Sequence, residues 1–148
     1  MPARGTDPLI GFSFSLEVSG KVQGYFTEIG GLGSETEIVE HKITDPMGRD
    51  LIQKIPRRLK FTDVTLKRGV TALMDLWTWR KMVEDGDIVG ARSNGSIIMY
   101  DQSLTAIAQW DFTNGWPTKV TGPSLSSDSN AFGVEEVTIT YEYLVRIK

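Results

Sequence analysis

SETEIVEHKITDPMGRDLIQKIPRRLKFTDVTLK, residues 34–67, is the stretch around which the rest of the chain arranges itself. From Ser34 to Ile43, Glu35, Glu37 and Glu40 are interleaved with Ile38, Val39 and Ile43, which reads as a strand exposed on at least one side. Thr44-Asp45-Pro46-Met47-Gly48-Arg49-Asp50 carries the punctuation of a turn. Leu51, Ile52 and Ile55 then lie between Pro46 and Pro56, in a segment too short and too interrupted for a core helix. A strand from Leu59 to Lys67 returns beside the first, so the expectation is a long hairpin over about 34–67 with its tip at 45–58. Its returning half holds Arg49, Lys54, Arg57, Arg58, Lys60 and Lys67, followed by Arg68, against the glutamates of the outgoing strand. Cross-strand pairs of that kind contribute a few tenths of a kcal/mol when exposed. Charge alone leaves open a solvated ribbon or a binding element.

Outward from this hairpin the pattern is mostly β. Ile10, Phe12, Phe14, Leu16 and Val18 alternate with Gly11, Ser13, Ser15 and Glu17, the period of a strand with one buried face. Ser19-Gly20-Lys21 turns into a second strand, Val22 to Ile29, which ends at Gly30-Gly31-Leu32-Gly33, where glycine supplies positive φ. One helix is expected at about 72–84, capped by Thr71. Its stripe is Ala72, Leu76, Trp79 and Val83, widened by Leu73 and Trp77, and Gly86 serves as the C′ residue. Ser96 to Tyr100 and Thr105 to Phe112 read as further strands joined by a turn at Asp101 to Leu104, with Trp110 and Phe112 on one face beside Ala106 and Ala108. Trp116-Pro117 and Gly122-Pro123 punctuate a short segment at Lys119 to Thr121, and Ser124 to Asn130 is loop-like. A long final strand places Val137, Ile139, Tyr141, Tyr143, Val145 and Ile147 on one face, and Glu136, Thr138, Thr140, Glu142 and Arg146 on the other. Leu76, Trp79, Trp110 and Phe112 are the expected core.

At 148 residues, 40% hydrophobic and 24% charged, the chain fits one globular domain without repeat or linker, 1–148. A net charge of -3 disfavours nonspecific binding to nucleic acid or anionic membrane. The absence of cysteine removes disulfides, thiolate metal sites and thiol nucleophiles, and a single histidine narrows metal and acid–base chemistry further. The start lacks the apolar stretch of a signal peptide and no run approaches a membrane span, so the expectation is cytoplasmic synthesis with no integral membrane segment.

No constellation carries catalysis. His41 stands in a charged strand without a nucleophile or orienting acid beside it. Asp85-Gly86-Asp87 lacks the ligand positions of a calcium loop, and Gly30 to Gly33 is followed by neither Lys-Ser/Thr nor a helix. Aromatics flanked by basic residues stack on single-stranded nucleic acid in some small barrels, but Trp77, Trp79, Trp110 and Phe112 sit at burying periodicities. The expectation is therefore no enzyme, no metal, no cofactor and no specific nucleic-acid recognition. A β-rich domain with one helix, a projecting hairpin and a long strand of two unlike faces suits an assembly module.

Ordered landmarks narrow this. Phe26-Thr27-Glu28-Ile29-Gly30-Gly31-Leu32 precedes the Glu-rich strand, and Asp63-Val64-Thr65-Leu66-Lys67-Arg68-Gly69-Val70-Thr71 precedes a helix holding Leu76-Trp77-Thr78-Trp79. Trp110-Asp111-Phe112-Thr113-Asn114-Gly115-Trp116-Pro117-Thr118-Lys119 and Ser129-Asn130-Ala131-Phe132-Gly133-Val134-Glu135-Glu136-Val137 follow. Together they resemble, over nearly the whole chain, the tail tube proteins of contractile phages and the inner tube proteins of phage-tail-like contractile injection systems. One departure is Pro56-Arg57, where members often have Pro-Gly.

The resemblance implies two packed antiparallel sheets with a flanking helix, joined between subunits into a continuous barrel. Six-membered rings would stack as a hollow tube inside a sheath, with baseplate, spike and cap proteins as partners and cargo in the lumen. The particle, assembled in the cytoplasm, would belong to a phage tail or a released or envelope-anchored injector. On that footing the subunit and ring contacts fall to Met47, Arg49, Leu51, Ile52, Ile55, Arg57 and Arg58, and the channel wall to Glu136, Thr138, Thr140 and Glu142. The competing reading is a monomeric β-sandwich that uses a basic hairpin to hold an acidic ligand.

Overall fold

Apolar alternation from Phe14 to Val18 does give a strand, β1 (Ser13–Val18), and Gly20, at φ 71°, turns it into β2 (Val22–Phe26). These belong to a computed structural model that describes residues 12–70, 73–123 and 133–148. The expectations for Ile10, the Thr71 cap, Ala72 and the Ser124 to Asn130 loop lie outside that range. The chain continues through β3 (Glu28–Gly30), β4 (Ser34–Thr44), β5 (Asp50–Phe61) and β6 (Val64–Gly69). Two helices follow, α1 (Asp75–Glu84) and α2 (Ile88–Ala91). The remaining strands are β7 (Ser93–Tyr100), β8 (Ala106–Thr121), β9 (Val134–Thr140) and β10 (Tyr143–Arg146).

Eight of the strands form one antiparallel path, β2-β1-β7-β8-β9-β6-β3, with β10 also on β8. Its two ends are consecutive in the chain, separated by Thr27, whose N–H donates to the Lys67 carbonyl at 2.9 Å. The sheet therefore folds back on itself as a flattened barrel of two layers. β8 belongs to both: Ala106 to Gly115 pairs with β7, Trp110 to Thr113 also with β10, and Trp116 to Thr121 with β9. The swivel is Asn114-Gly115. Asn114 takes φ 54°, a left-handed value asparagine tolerates, and a Cβ on Gly115 would lie 2.5 Å from the Phe112 ring. A Cβ on Gly95 would overlap the same ring from β7, so two bare backbones make room for one phenyl group.

Between the layers lie Leu16, Val18 and Phe26 from one side, Val64, Leu66, Val137 and Ile139 from the other, and Phe112, Leu76 and Trp79 among them. Trp79 donates its indole N–H to the Ala91 carbonyl at 2.7 Å, so α2 meets the polar requirement of the largest core side chain. Asp87 caps α2, its Oδ1 accepting from Gly90 N at 3.0 Å.

Several boundaries differ from expectation, each for a local reason. The strand expected at Val22 to Ile29 breaks at Thr27, where the chain crosses between the sheet's two ends. The hairpin tip is only Asp45 to Arg49, and residues 50–58 are strand, because Pro56 sits beside a bulge where its missing N–H costs nothing. The returning strand stops at Phe61, and Val64 onward forms β6 in the body. Helix α1 starts at Asp75, whose Oδ1 accepts from Leu76 N at 2.8 Å. It closes as anticipated with Gly86 at φ 87°.

Pro117 does not interrupt β8 but lies buried at a register shift. The long final strand is cut at Tyr141-Glu142. That one-residue irregularity reverses the faces beyond it, leaving Tyr143, Val145 and Ile147 exposed while Leu144 packs inward. Trp110 is half-buried at the core margin, with the Arg146 guanidinium 5.4 Å from its ring centroid. Leu76, Trp79 and Phe112 are fully enclosed, as expected.

Trp79→Ala is accordingly expected to cost about 3–5 kcal/mol, and Trp110→Ala about half as much. Chemical denaturation of the two variants checks the ranking.

Candidate functional site

Strands β4 and β5 pair over nearly their whole length and pack on no other element to a comparable extent. At about 3.4 Å per residue the ribbon projects roughly 35 Å. Its root is fixed. Phe61 meets the Tyr141 and Tyr143 rings at 5.9 and 5.4 Å between centroids, and the Tyr141 hydroxyl donates to the Thr62 carbonyl at 2.6 Å. Burial, with a smaller push from the Asp63 carboxylate, raises the Tyr141 phenol to about 12, so it remains a donor. Gly31, at φ 90°, lets the chain cross Asp63, whose carbonyl would collide with any Cβ there.

The tip is equally fixed. Asp45 Oδ1 accepts from the Met47 and Arg49 amides at 2.9 and 2.8 Å, Asp45 Oδ2 accepts from Arg49 Nε at 2.8 Å, and Gly48 takes φ 79°. Met47 is left at the apex, 80% exposed.

Register divides the ribbon into two faces. Pairs Val39/Ile55, His41/Gln53 and Ile43/Leu51 share one; Ile38/Pro56, Glu40/Lys54, Lys42/Ile52 and Thr44/Asp50 share the other. Between them and the root, Arg57 and Arg58 oppose Glu37 at the bulge. The seven expected contact residues thus do not form one surface. Leu51 and Ile55 lie together, Ile52 lies on the reverse, Arg57 and Arg58 sit at the bulge, and Arg49 is tied to Asp45 at the tip. Val39 and Ile43 complete the apolar face and were not among the candidates; their period-2 spacing with His41 was the available signal.

Of the expected wall residues, Glu136, Thr138 and Thr140 do share the outward face of β9, opposite buried Val137 and Ile139. Lys67 lies between Glu136 and Glu28, at 3.9 and 3.8 Å, giving a ladder of one cation between two carboxylates across β3, β6 and β9. Glu142 stands apart, at the break after β9, where its carboxylate accepts from Asn114 Nδ2 at 2.8 Å.

Behind that ladder is a cluster that the sequence reading passed over. Arg68 and Glu135 face each other across β6 and β9, 4% and 3% exposed. Arg68 Nε donates to Glu135 at 3.2 Å and Nη2 to Asp75 at 2.5 Å, while Trp77 Nε1 donates to Glu135 at 3.4 Å. The Phe26 ring centroid lies 5.2 Å from the guanidinium, and Gly24 leaves space for it. Burial is the largest single influence and lowers the Arg68 pKa, but the two carboxylates together outweigh it and hold it above its ordinary value. The clue was alternation: Val64 and Leu66 point inward and so does Arg68, as Val137 and Ile139 imply for Glu135.

A β-rich domain with a bare ribbon and no enclosed reactive centre among its described residues defines a structural assembly subunit. The sequence matches the family described as T4-like virus tail tube protein gp19 over residues 11–145, and the chain belongs to that family, whose members are structural tube subunits. No curated protein matches it. The fold is similar to that of a chain in the sheath–tube complex of an extracellular contractile injection system, PVC, in its extended state. That match has 21% identity, covers 96% of this chain and 93% of the other, and has a TM-score of 0.70. A chain in the baseplate of the anti-feeding prophage is similar at 16% identity, with 99% and 97% covered and a TM-score of 0.72. Hcp1 from Flavobacterium johnsoniae is 18% identical, with 90% and 94% covered and a TM-score of 0.54.

Arg68→Met leaves buried Glu135 and partly buried Asp75 without their cation and is expected to cost about 3–5 kcal/mol. Replacing Arg68, Glu135 and Asp75 together by apolar residues should recover most of that loss, which urea denaturation of the single and triple variants measures.

Proposed function

We propose that this chain closes into six-membered rings that stack as the hollow inner tube of a contractile injection apparatus. The tube is surrounded by a sheath and ends on baseplate, spike and cap proteins. One observation carries the reading: a ribbon with aliphatic residues exposed on both faces and, among the described elements, no other that packs along it to a comparable extent. A two-stranded hairpin alone is marginal in water, and exposed apolar rows need a partner. One face of a ribbon two strands wide is narrow, whereas a stable pair buries roughly 800 Å² per partner. Many copies contributing such contacts at once therefore suit it better than a single dimer.

In the same reading, Glu136, Thr138 and Thr140 line the channel with hydroxyls and partly compensated charge, and Glu142 stands at the wall's margin. Cargo then passes a polar surface that is net negative on each subunit, because Lys67 offsets only one of Glu28 and Glu136. The tube assembles in the cytoplasm and acts as part of a phage tail or tail-like particle, driven through a target envelope by sheath contraction. Its work is mechanical, with no catalytic step.

The alternative of a basic hairpin holding an acidic ligand loses its premise. Residues 34–61 contain six basic side chains against five acidic ones, and Glu35 and Glu40 stand opposite Lys60 and Lys54.

Light scattering and negative-stain imaging test the tube reading. Rings or tubes are expected for the wild-type chain, alone or with its sheath and cap partners; monomers throughout a wide concentration range would overturn it. Leu51→Asp or Ile55→Asp should weaken assembly while the melting curve stays near that of the wild type.

A further inference from the structure

His41, the chain's single histidine, sits at the centre of the ribbon's apolar face. Val39 and Ile55 flank it on the root side, Ile43 and Leu51 on the tip side, and Gln53 is directly opposite. We propose that this face, and not its reverse, is the one a second copy of the chain covers, and that His41 makes the contact sensitive to acid. The proposal rests on the tube reading and specifies one contact within it.

The two faces differ in what burial would require. The reverse face carries Glu40, Lys42, Asp50 and Lys54, and covering it means desolvating four charges. Around His41 the only polar partner is Gln53, and four half-exposed aliphatic side chains make up the rest. A second copy supplies matching chemistry: Val145 and Ile147 are exposed on each body, in line with Tyr143, whose ring also meets Phe61.

Imidazole is the side chain whose ordinary titration falls between pH 5 and 8. Along the His41 face the nearest charged groups are Glu37 and the Arg57-Arg58 pair, two register steps toward the root, and the mutually paired Asp45 and Arg49, two steps toward the tip. Glu40 and Lys42 point to the reverse, and among the described elements none packs extensively on this stretch of ribbon. Within the ribbon, no carboxylate faces the imidazole closely enough to compensate its charge. Covered by aliphatic surface, neutral imidazole with Gln53 beside it is tolerated, whereas imidazolium is not. Assembly is therefore strong above the imidazole's titration and weakens as the pH falls through it. Each pH unit below that point raises the critical concentration by about tenfold for every linked histidine.

Two paired comparisons on the full-length chain test this by sedimentation, with circular dichroism monitoring the fold. Leu51 and Ile52 are chain neighbours on opposite faces. Leu51→Asp is expected to raise the critical concentration at least about tenfold more than Ile52→Asp does. Equal effects, or a larger one at Ile52, overturn the choice of face. Between about pH 8 and about pH 5.5 the wild type should lose at least about tenfold in assembly, while His41→Gln changes by less than about twofold, whatever its value at the higher pH. A wild type indifferent to pH, or a loss shared equally by His41→Gln, removes His41 from the contact and leaves the tube reading standing. No assembly of the wild type at the higher pH, with or without partners, instead overturns the tube reading itself.

Discussion

The Arg68 guanidinium ties to the paired strands β6 and β9 two parts of the molecule that their ladder does not reach, the helix α1 and strand β2. It reaches from β6 to Glu135 on β9 and to Asp75 at the start of α1, with Phe26 of β2 against its flat side. Strand, strand, helix and the far end of the sheet therefore meet on one cation. Such a cluster adds little net stability compared with a well-packed apolar core, because three charges have been taken out of water. What it adds is discrimination: a helix shifted by one turn or a strand slipped by one residue would leave a buried charge without its partner. The outward ladder of Glu28, Lys67 and Glu136 stands on the opposite side of the same strands, so its position is inherited from the buried cluster.

The ribbon obeys the opposite logic. No other described element packs along it to a comparable extent, yet both ends are tied down: the root through the aromatic contacts of Phe61 and the Tyr141 hydroxyl, the tip through the Asp45 carboxylate. An element stiff at both ends and uncovered between them is shaped before its partner arrives. Little conformational entropy then remains to be lost on contact, which suits a contact that each member of a large array must make.

Much of this was legible from residue spacing. Period-2 alternation located β1, the hairpin, β7 and β9, and the helix stripe picked out Leu76 and Trp79. What spacing missed were places where a long-range contact overrides a local signal. Pro56 and Pro117 read as interruptions but sit at bulges, where a missing amide proton is harmless. The tip therefore looked far longer than five residues, and β8 looked like two pieces. The break at Tyr141-Glu142 left no mark in composition, and it turned the anticipated apolar row of β10 outward. Arg68 and Glu135 fell on inward positions of their strands, but charged residues are so seldom buried that alternation was overruled. For the candidate surfaces, the outward face of β9 was readable directly. The division of the ribbon into two faces needed the strand register, which the turn length fixes and the sequence did not.

Phe112 draws a different boundary, around what this fold can become. Its ring occupies the space where Gly95 and Gly115 lack side chains, at the bend that lets one strand serve both layers. Enlarging either glycine first collides with the ring, and shrinking the ring first opens a void at the centre. Single-step change is thus penalised in both directions, so the three positions form one heritable unit. Surface residues face no such lock. A lineage of these subunits is free to rewrite its ribbon and its outward ladder around a hinge it has little means to alter.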